Sequence, residues 1–137
     1  MASIVLKDAH LTVNSVDLSD HVTQISFELT ADTPEDTAMG DASRSYLVGL
    51  KDSTVSVTFN ADYAASEVDA TLWAIYSGGA AVTLFGNPDS STTSTSNPRY
   101  TVSAILSSWG PLDGSVGDVA QVSASFQGTG DVTRATS

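Results

Sequence analysis

Two segments of the chain alternate apolar and polar residues with a period of two. In TQISFEL, residues 23–29, Ile25, Phe27 and Leu29 share one side, and Gln24, Ser26 and Glu28 share the other. In TVSVTFN, residues 54–60, Val55, Val57 and Phe59 oppose Thr54, Ser56 and Thr58. A strand turns successive side chains to opposite faces, so each segment predicts a strand with one buried and one wet face. The two predict an antiparallel pair. Its polar face suits bulk water and an aqueous channel equally.

Weaker alternations flank this pair. Ser3–Leu6 is a short β candidate. Leu11 and Val13, then Val16 and Leu18, alternate on either side of Asn14-Ser15, a two-residue hairpin position. Ala81–Phe85 predicts a strand. So does Tyr100–Leu106, with Tyr100, Val102, Ala104 and Leu106 in phase and Ile105 opposed. Val119–Phe126 closes the set, with Val122, Ala124 and Phe126 in phase.

The period changes over residues 62–77. Val68, Leu72 and Ile75 recur at helical spacing, and Ala65 extends the stripe. Ser66 and Asp69 resemble a capping box, Asp62 is an alternative cap, and Gly78-Gly79 supplies a stop. Trp73 and Tyr76 read as core or interface packing. Trp109–Gly114 makes a bend. Residues 86–98, GNPDSSTTSTSNP, form a polar loop with no large apolar side chain to bury, bounded by two Asn-Pro pairs. Residues 128–137 read as a polar tail that frays or packs on a partner.

Between the two strong strands lies the longest insertion, TADTPEDTAMGDASRSYLVGL, residues 30–50. Hairpin loops ordinarily take two to five residues. One of about twenty is either disordered or an arm with work to do at the surface, and a neighbouring subunit is a natural contact. Its apolar weight is Met39, Tyr46, Leu47, Val48 and Leu50.

These elements predict one mainly β domain over residues 1–137: a sandwich or partly open barrel, one flanking helix and one long inter-strand loop. The chain is long enough for a core without staples. It has no cysteine, which removes disulfides and thiolate metal sites. It contains no apolar run long enough to span a membrane, and its first residues do not read as a signal peptide. Sixteen acidic residues face five basic ones, Lys7, Arg44, Lys51, Arg99 and Arg134, for a formal charge of −11. That balance argues against ordinary DNA binding, which needs a basic footprint.

Catalytic and cofactor signals are missing. His10 and His21 read as solvated or capping residues, and no serine sits in a nucleophile elbow. Gly114–Gly117 lacks the context of a phosphate loop. Asp32, Glu35, Asp36 and Asp41 offer oxygens of the kind calcium takes, but in no EF-hand spacing, and read as a solvated acidic loop. No enzyme, cofactor or metal is expected.

Several motifs together resemble the tail tube (major tail) proteins of long-tailed bacteriophages. They are VNSVDLSDHV at 13–22, DTAMGDASRSYLVGLKDSTVSVTFNADYAASEVDATLW at 36–73, NPRYTVSAIL at 97–106 and SVGDVAQVSASFQGTGDVTRAT at 115–136. Most of the chain is covered. The most specific parts are Thr37–Gly40, Gly49–Asp52 and Asp62–Ala65, in that order. The resemblance implies six-membered rings that stack into a hollow tube. Strands from all six subunits would line the lumen, and a long loop would reach a neighbouring subunit or ring. The tube would enclose the tape-measure protein and later conduct DNA, and it would meet a tail terminator and tail-tip or baseplate proteins. It would be part of the virion, assembled in the host cytoplasm. Carried onto this chain, the interface falls on Thr37, Met39, Gly40, Asp41, Arg44, Tyr46, Leu47 and Lys51. The lumen lining falls on Gln24, Ser26, Glu28, Thr54, Ser56 and Thr58. The lumen would be acidic or neutral, because a basic lining would arrest DNA. Arg44 or Lys51 would pair with acids of an adjacent subunit, and the arm would be mobile before assembly.

Two other classes fit the residues. One is a different phage structural protein: a tail terminator, a head–tail joining protein or a capsid decoration protein. The other is a stand-alone module for carbohydrate or calcium, using Trp73, Trp109 and the Ser/Thr loop.

Overall fold

The alternating segments become the strands of one antiparallel sheet in the computed structural model, which describes residues 5–7, 9–89 and 91–137. In chain order the strands are β1 (His10–Val13), β2 (Val16–Asp17), β3 (Val22–Ala31) and β4 (Lys51–Asn60). After helix α1 (Val68–Gly78) come β5 (Val82–Asn87), β6 (Arg99–Trp109), β7 (Gln121–Gly128) and β8 (Thr133–Ala135). The sheet runs β2-β1-β5-β6-β7-β4-β3, with β8 paired to β6. It is not closed, yet the edge strand β3 curls back over the core towards the middle of the sheet: Phe27 on β3 lies 6.1 Å from Tyr100 on β6, centroid to centroid.

The phases read from the sequence hold except at Leu29, which sits near the end of β3 and is 55% exposed. Val55, Val57, Phe59, Val102, Ala104, Val122, Ala124 and Phe126 are buried in one cluster with Leu11, Val13, Leu18 and Leu84. Ile25, Phe27 and Leu106 pack against it. Helix α1 adds Val68, Leu72 and Ile75. Asn14 and Ser15 both take positive φ, 49° and 69°, as the tightest two-residue hairpin turn requires.

Four expectations change. The helix begins at Val68, six residues after the start of the 62–77 segment and three after Ala65. Ser66 is left-handed (φ 64°), and Glu67, the residue before the helix, makes no side-chain cap. The Ser66–Asp69 capping box is therefore not formed, and Ala65 lies outside the helix and exposed. Asp62 instead accepts the Ala64 N–H in a local turn at 3.0 Å. Gly79 does end the helix, in left-handed geometry, donating to Ile75 O at 3.1 Å.

Second, Trp73 and Tyr76 are not core: they are 57% and 62% exposed, in contact with each other, and Tyr76 also meets Trp109. Third, the tail neither frays nor waits for a partner at residues 133–135. It forms β8 beside the first residues of β6, Arg99 opposite Ala135 and Thr101 opposite Thr133. Fourth, Trp109 ends β6 instead of opening a bend, and Val119 precedes β7 and is exposed. Of the Ser3–Leu6 candidate, Ser3 and Ile4 lie outside the described residues; Val5 and Leu6 are exposed and not in a strand.

Candidate assembly surfaces

The register across β3, β4 and β7 collects the polar alternates into rows. Glu28 stands opposite Thr54, Ser26 opposite Ser56, and Gln24 opposite Thr58. On the far side of β4, Thr54 meets Gln127, Ser56 meets Ser125, and Thr58 meets Ser123. All six residues assigned to the lumen by sequence thus share one face, beside the matching face of β7. Five of them are exposed, and Thr58 is half-buried. Only Glu28 among them carries a charge. Short hydroxyl side chains make this face flat and hydrated, with nothing to grip a polyanion.

Three of the five basic residues, Arg44, Lys51 and Arg99, lie off this face. Arg44 is in the arm. Lys51 begins β4 in the phase of the core-facing residues, at the strand end. Arg99 lies over the Phe85 ring at 4.4 Å, and its Nε donates to Asn87 Oδ1 at 3.4 Å. Phe85 stacks in turn on His10.

The insertion is a second hairpin that prolongs β3 and β4. Asp36 N–H donates to Ser45 O (3.0 Å) and Leu47 N–H to Pro34 O (2.9 Å), and Glu35 bridges Tyr46. At the base, Asp32 N–H donates to Leu50 O while Asp32 O accepts from Gly49 N–H. Two residues, Gly49 and Leu50, thus oppose the single residue Asp32, which is a β-bulge. A Cβ on Gly49 would come within 3.1 Å of the Asp32 Cβ and the Pro34 Cδ, so glycine suits this crossing.

The tip is closed by its own polar groups. Ala38 N–H donates to Asp41 Oδ2 (2.7 Å), Ser45 N–H donates to Thr37 Oγ1 (2.8 Å), and Gly40 takes φ 94°. Arg44 reaches Glu35 of the same arm at 3.9 Å, both exposed, a pair of small energetic weight. Thr37, Met39, Gly40, Asp41, Arg44, Tyr46, Leu47 and Lys51 are all exposed. So are Val48 and Leu50, and Met39 is fully so. Asp32, Glu35, Asp36 and Asp41 spread along the arm; they do not converge on a cation-sized site among the described residues.

The Ser/Thr loop is ordered by polar groups that sequence reading passed over. Asn97, buried, donates from Nδ2 to the carbonyls of Asp89, Ser91 and Thr92, and accepts the Asp89 N–H. Asn87, also buried, donates to Asn97 O and Thr93 Oγ1. The signal was present in the two Asn-Pro pairs, which fix extended backbone at both loop ends.

No protein-family model matches the chain, and no curated protein matches it significantly. Solved structures do. A chain from the virion of a native gene transfer agent particle superposes with a TM-score of 0.79 at 14% identity, covering 97% of this chain and 99% of that one. A chain of the SPP1 tail tube gives 0.78 at 12%, covering 98% and 80%. The fold is the tail-tube fold. A chain of the PVC sheath–tube complex, an extracellular contractile injection system in its extended state, shares it at 0.73 and 11%, covering 98% and 93%. The tail-tube fold agrees with the resemblance carried by residues 13–22, 36–73, 97–106 and 115–136.

Proposed function

We propose that this protein is the subunit of a phage-type tail tube, a structural virion protein with no catalytic role. Six copies form a ring, and rings stack into a hollow tube. The tube holds the tape-measure protein, conducts DNA without binding it specifically, and ends against terminator and tail-tip or baseplate proteins. The face of Gln24, Ser26, Glu28, Thr54, Ser56 and Thr58 lines the lumen. The arm contacts a neighbouring subunit through Thr37, Met39, Gly40, Asp41, Arg44, Tyr46, Leu47 and Lys51.

The observation that carries this reading is the arm on the tail-tube fold. Residues 30–48 are exposed throughout, yet they are hydrogen-bonded into a hairpin that presents Met39, Tyr46, Leu47 and Val48 to solvent. Burying each of these side chains is worth about 1.5–3 kcal/mol. Ordering a flexible segment costs roughly 1–2 kcal/mol per residue. The hairpin's own hydrogen bonds offset part of that cost, and an interface repeated around every ring supplies the rest.

Negative-stain electron microscopy of the purified protein over a concentration series tests the proposal. Hollow tubes or stacked six-fold rings are expected. Single rings at every concentration would replace it with a terminator or joining role. A strict monomer, even with preformed tube ends added as seeds, would refute it.

A further inference from the structure

His21 closes the 3-10 turn Ser19–His21, from which β3 departs. Its ring is largely buried, and three carboxylates surround its Nε2: Glu67 Oε2 at 2.7 Å, Asp62 Oδ2 at 3.5 Å and Asp20 Oδ1 at 3.6 Å. Ligand atoms of His21, Asp62 and Glu67 all lie within 4.8 Å of one another. Two of these residues come from the connection between β4 and α1, more than forty positions along the chain, so the fold and not the sequence assembles the group.

The geometry points to a divalent-cation site, with His21, Asp62 and Glu67 as ligands and Zn2+ as the ion it fits. A tetrahedral zinc site with bonds of about 2.0–2.1 Å sets its donors about 3.4 Å apart. The His21–Asp62 separation already has that value within 0.1–0.2 Å. Glu67 needs to withdraw by under 1 Å, exchanging its hydrogen bond to the imidazole for a bond to the metal. One imidazole with two carboxylates is a donor set zinc accepts, and a fourth position remains for water or for the exposed Asp20.

The supporting shell is in place. Asp62 Oδ1 is held by the Ala64 N–H at 3.0 Å, which leaves Oδ2 turned towards His21. Glu67 precedes the helix but spends no side-chain bond on capping it. Charge points the same way. Three carboxylates converge here, and among the described residues no Lys or Arg forms an ion pair with any of them. A dication offsets the surplus. It would also clamp the origin of β3, the edge strand that carries the arm, to the segment entering α1.

The test uses the full chain stripped with chelator and titrated with Zn2+ alone. Calorimetry should give one ion per chain, and saturating Zn2+ should raise Tm by several degrees. His21→Asn and Glu67→Gln should each weaken binding at least tenfold, while Asp41→Asn, in the arm, should leave it unchanged. Histidine ring NMR of the unmutated protein provides a second measurement that does not depend on any variant folding. The His21 resonances should move on zinc addition, and those of His10 should stay. Absence of saturable 1:1 binding, equal affinity in the His21 and Glu67 variants, or a response at His10 instead of His21 would overturn the site.

Discussion

Gly128 on β7 lies directly against Ser53 on β4. A Cβ at position 128 would clash with the Ser53 hydroxyl and come within 2.9 Å of the Ser53 carbonyl oxygen. The Ser53 hydroxyl is buried and has no hydrogen-bond partner. The two strands approach here as only a glycine permits.

Gly128→Ala should therefore destabilise the subunit by about 1–3 kcal/mol, as overpacking of a tight contact does. Ser53→Ala, which removes a buried hydroxyl without a partner, should be neutral or slightly stabilising. In combination it should recover part of the Gly128→Ala loss, because the backbone contact persists. Urea denaturation midpoints of the three variants check this. A neutral Gly128→Ala would mean the strands separate there at no cost.

Asn97→Ala should cost roughly 2–3 kcal/mol, because it strips the partners of three carbonyls and one N–H around a buried site. Residues 91–96 should become the first protease cleavage site, since the order of this stretch rests on that side chain. Limited proteolysis with mass spectrometry reads the result; an unchanged digestion pattern would show that the loop is held otherwise.

The arm should be labile in the free subunit and protected in the tube. A two-stranded hairpin with no buried side chain is marginally stable in water. The amides of Asp36, Leu47 and Gly49 should thus exchange quickly before assembly, despite their hydrogen bonds, and slowly after it. Leu47→Asp with Val48→Asp should leave subunit stability within about 0.5 kcal/mol of the parent and abolish tubes. Hydrogen exchange and electron microscopy report the two effects, and wild-type tube yield from the double variant would remove the arm from the interface.

Acid should weaken the β1–β2 hairpin. Burial pushes the Asp17 carboxyl up, but hydrogen bonds from the Ser19 hydroxyl and backbone N–H, with His10 nearby, outweigh it and hold the pKa below its usual 3.8. A carboxylate whose folded pKa is depressed stabilises the fold above the unfolded value, and that contribution is lost as pH falls through the folded one. Asp17→Asn should be less stable than the parent near neutrality, and the two should converge below about pH 3.8. The carboxylate is more than half exposed, so the difference is small. Paired melting curves at both pH values decide it; a constant gap would point to lost packing instead.

Strand phase was legible because burial on one face is written locally, residue by residue, in β3, β4, β6 and β7. The face formed by Ser26 and Ser56 followed from it without further information. The helix start was not legible, since a left-handed Ser66 breaks an apolar stripe that composition alone continues. β8 has no large apolar residue and exists because β6 offers unpaired backbone beyond the reach of β7. The Asn97 network and the His21 cluster join residues through space, and no periodicity announces such partners. The arm's length marked it as a surface device, but its hairpin pairing depends on register with its own return strand.

The bulge at Asp32 acts on the arm as a phase inverter. One extra residue on the return strand exchanges the faces of everything beyond it, bringing Tyr46 to the side of Glu35 and sending Leu47 to the other. The arm can therefore grow or shrink by two residues per strand and still present the same side chains on the same face. Loss of a single residue at 49 or 50 would keep the backbone ladder and turn that offered surface inside out. Arm length in such a subunit is quantised in pairs, and the bulge is the one place where an odd step is recorded.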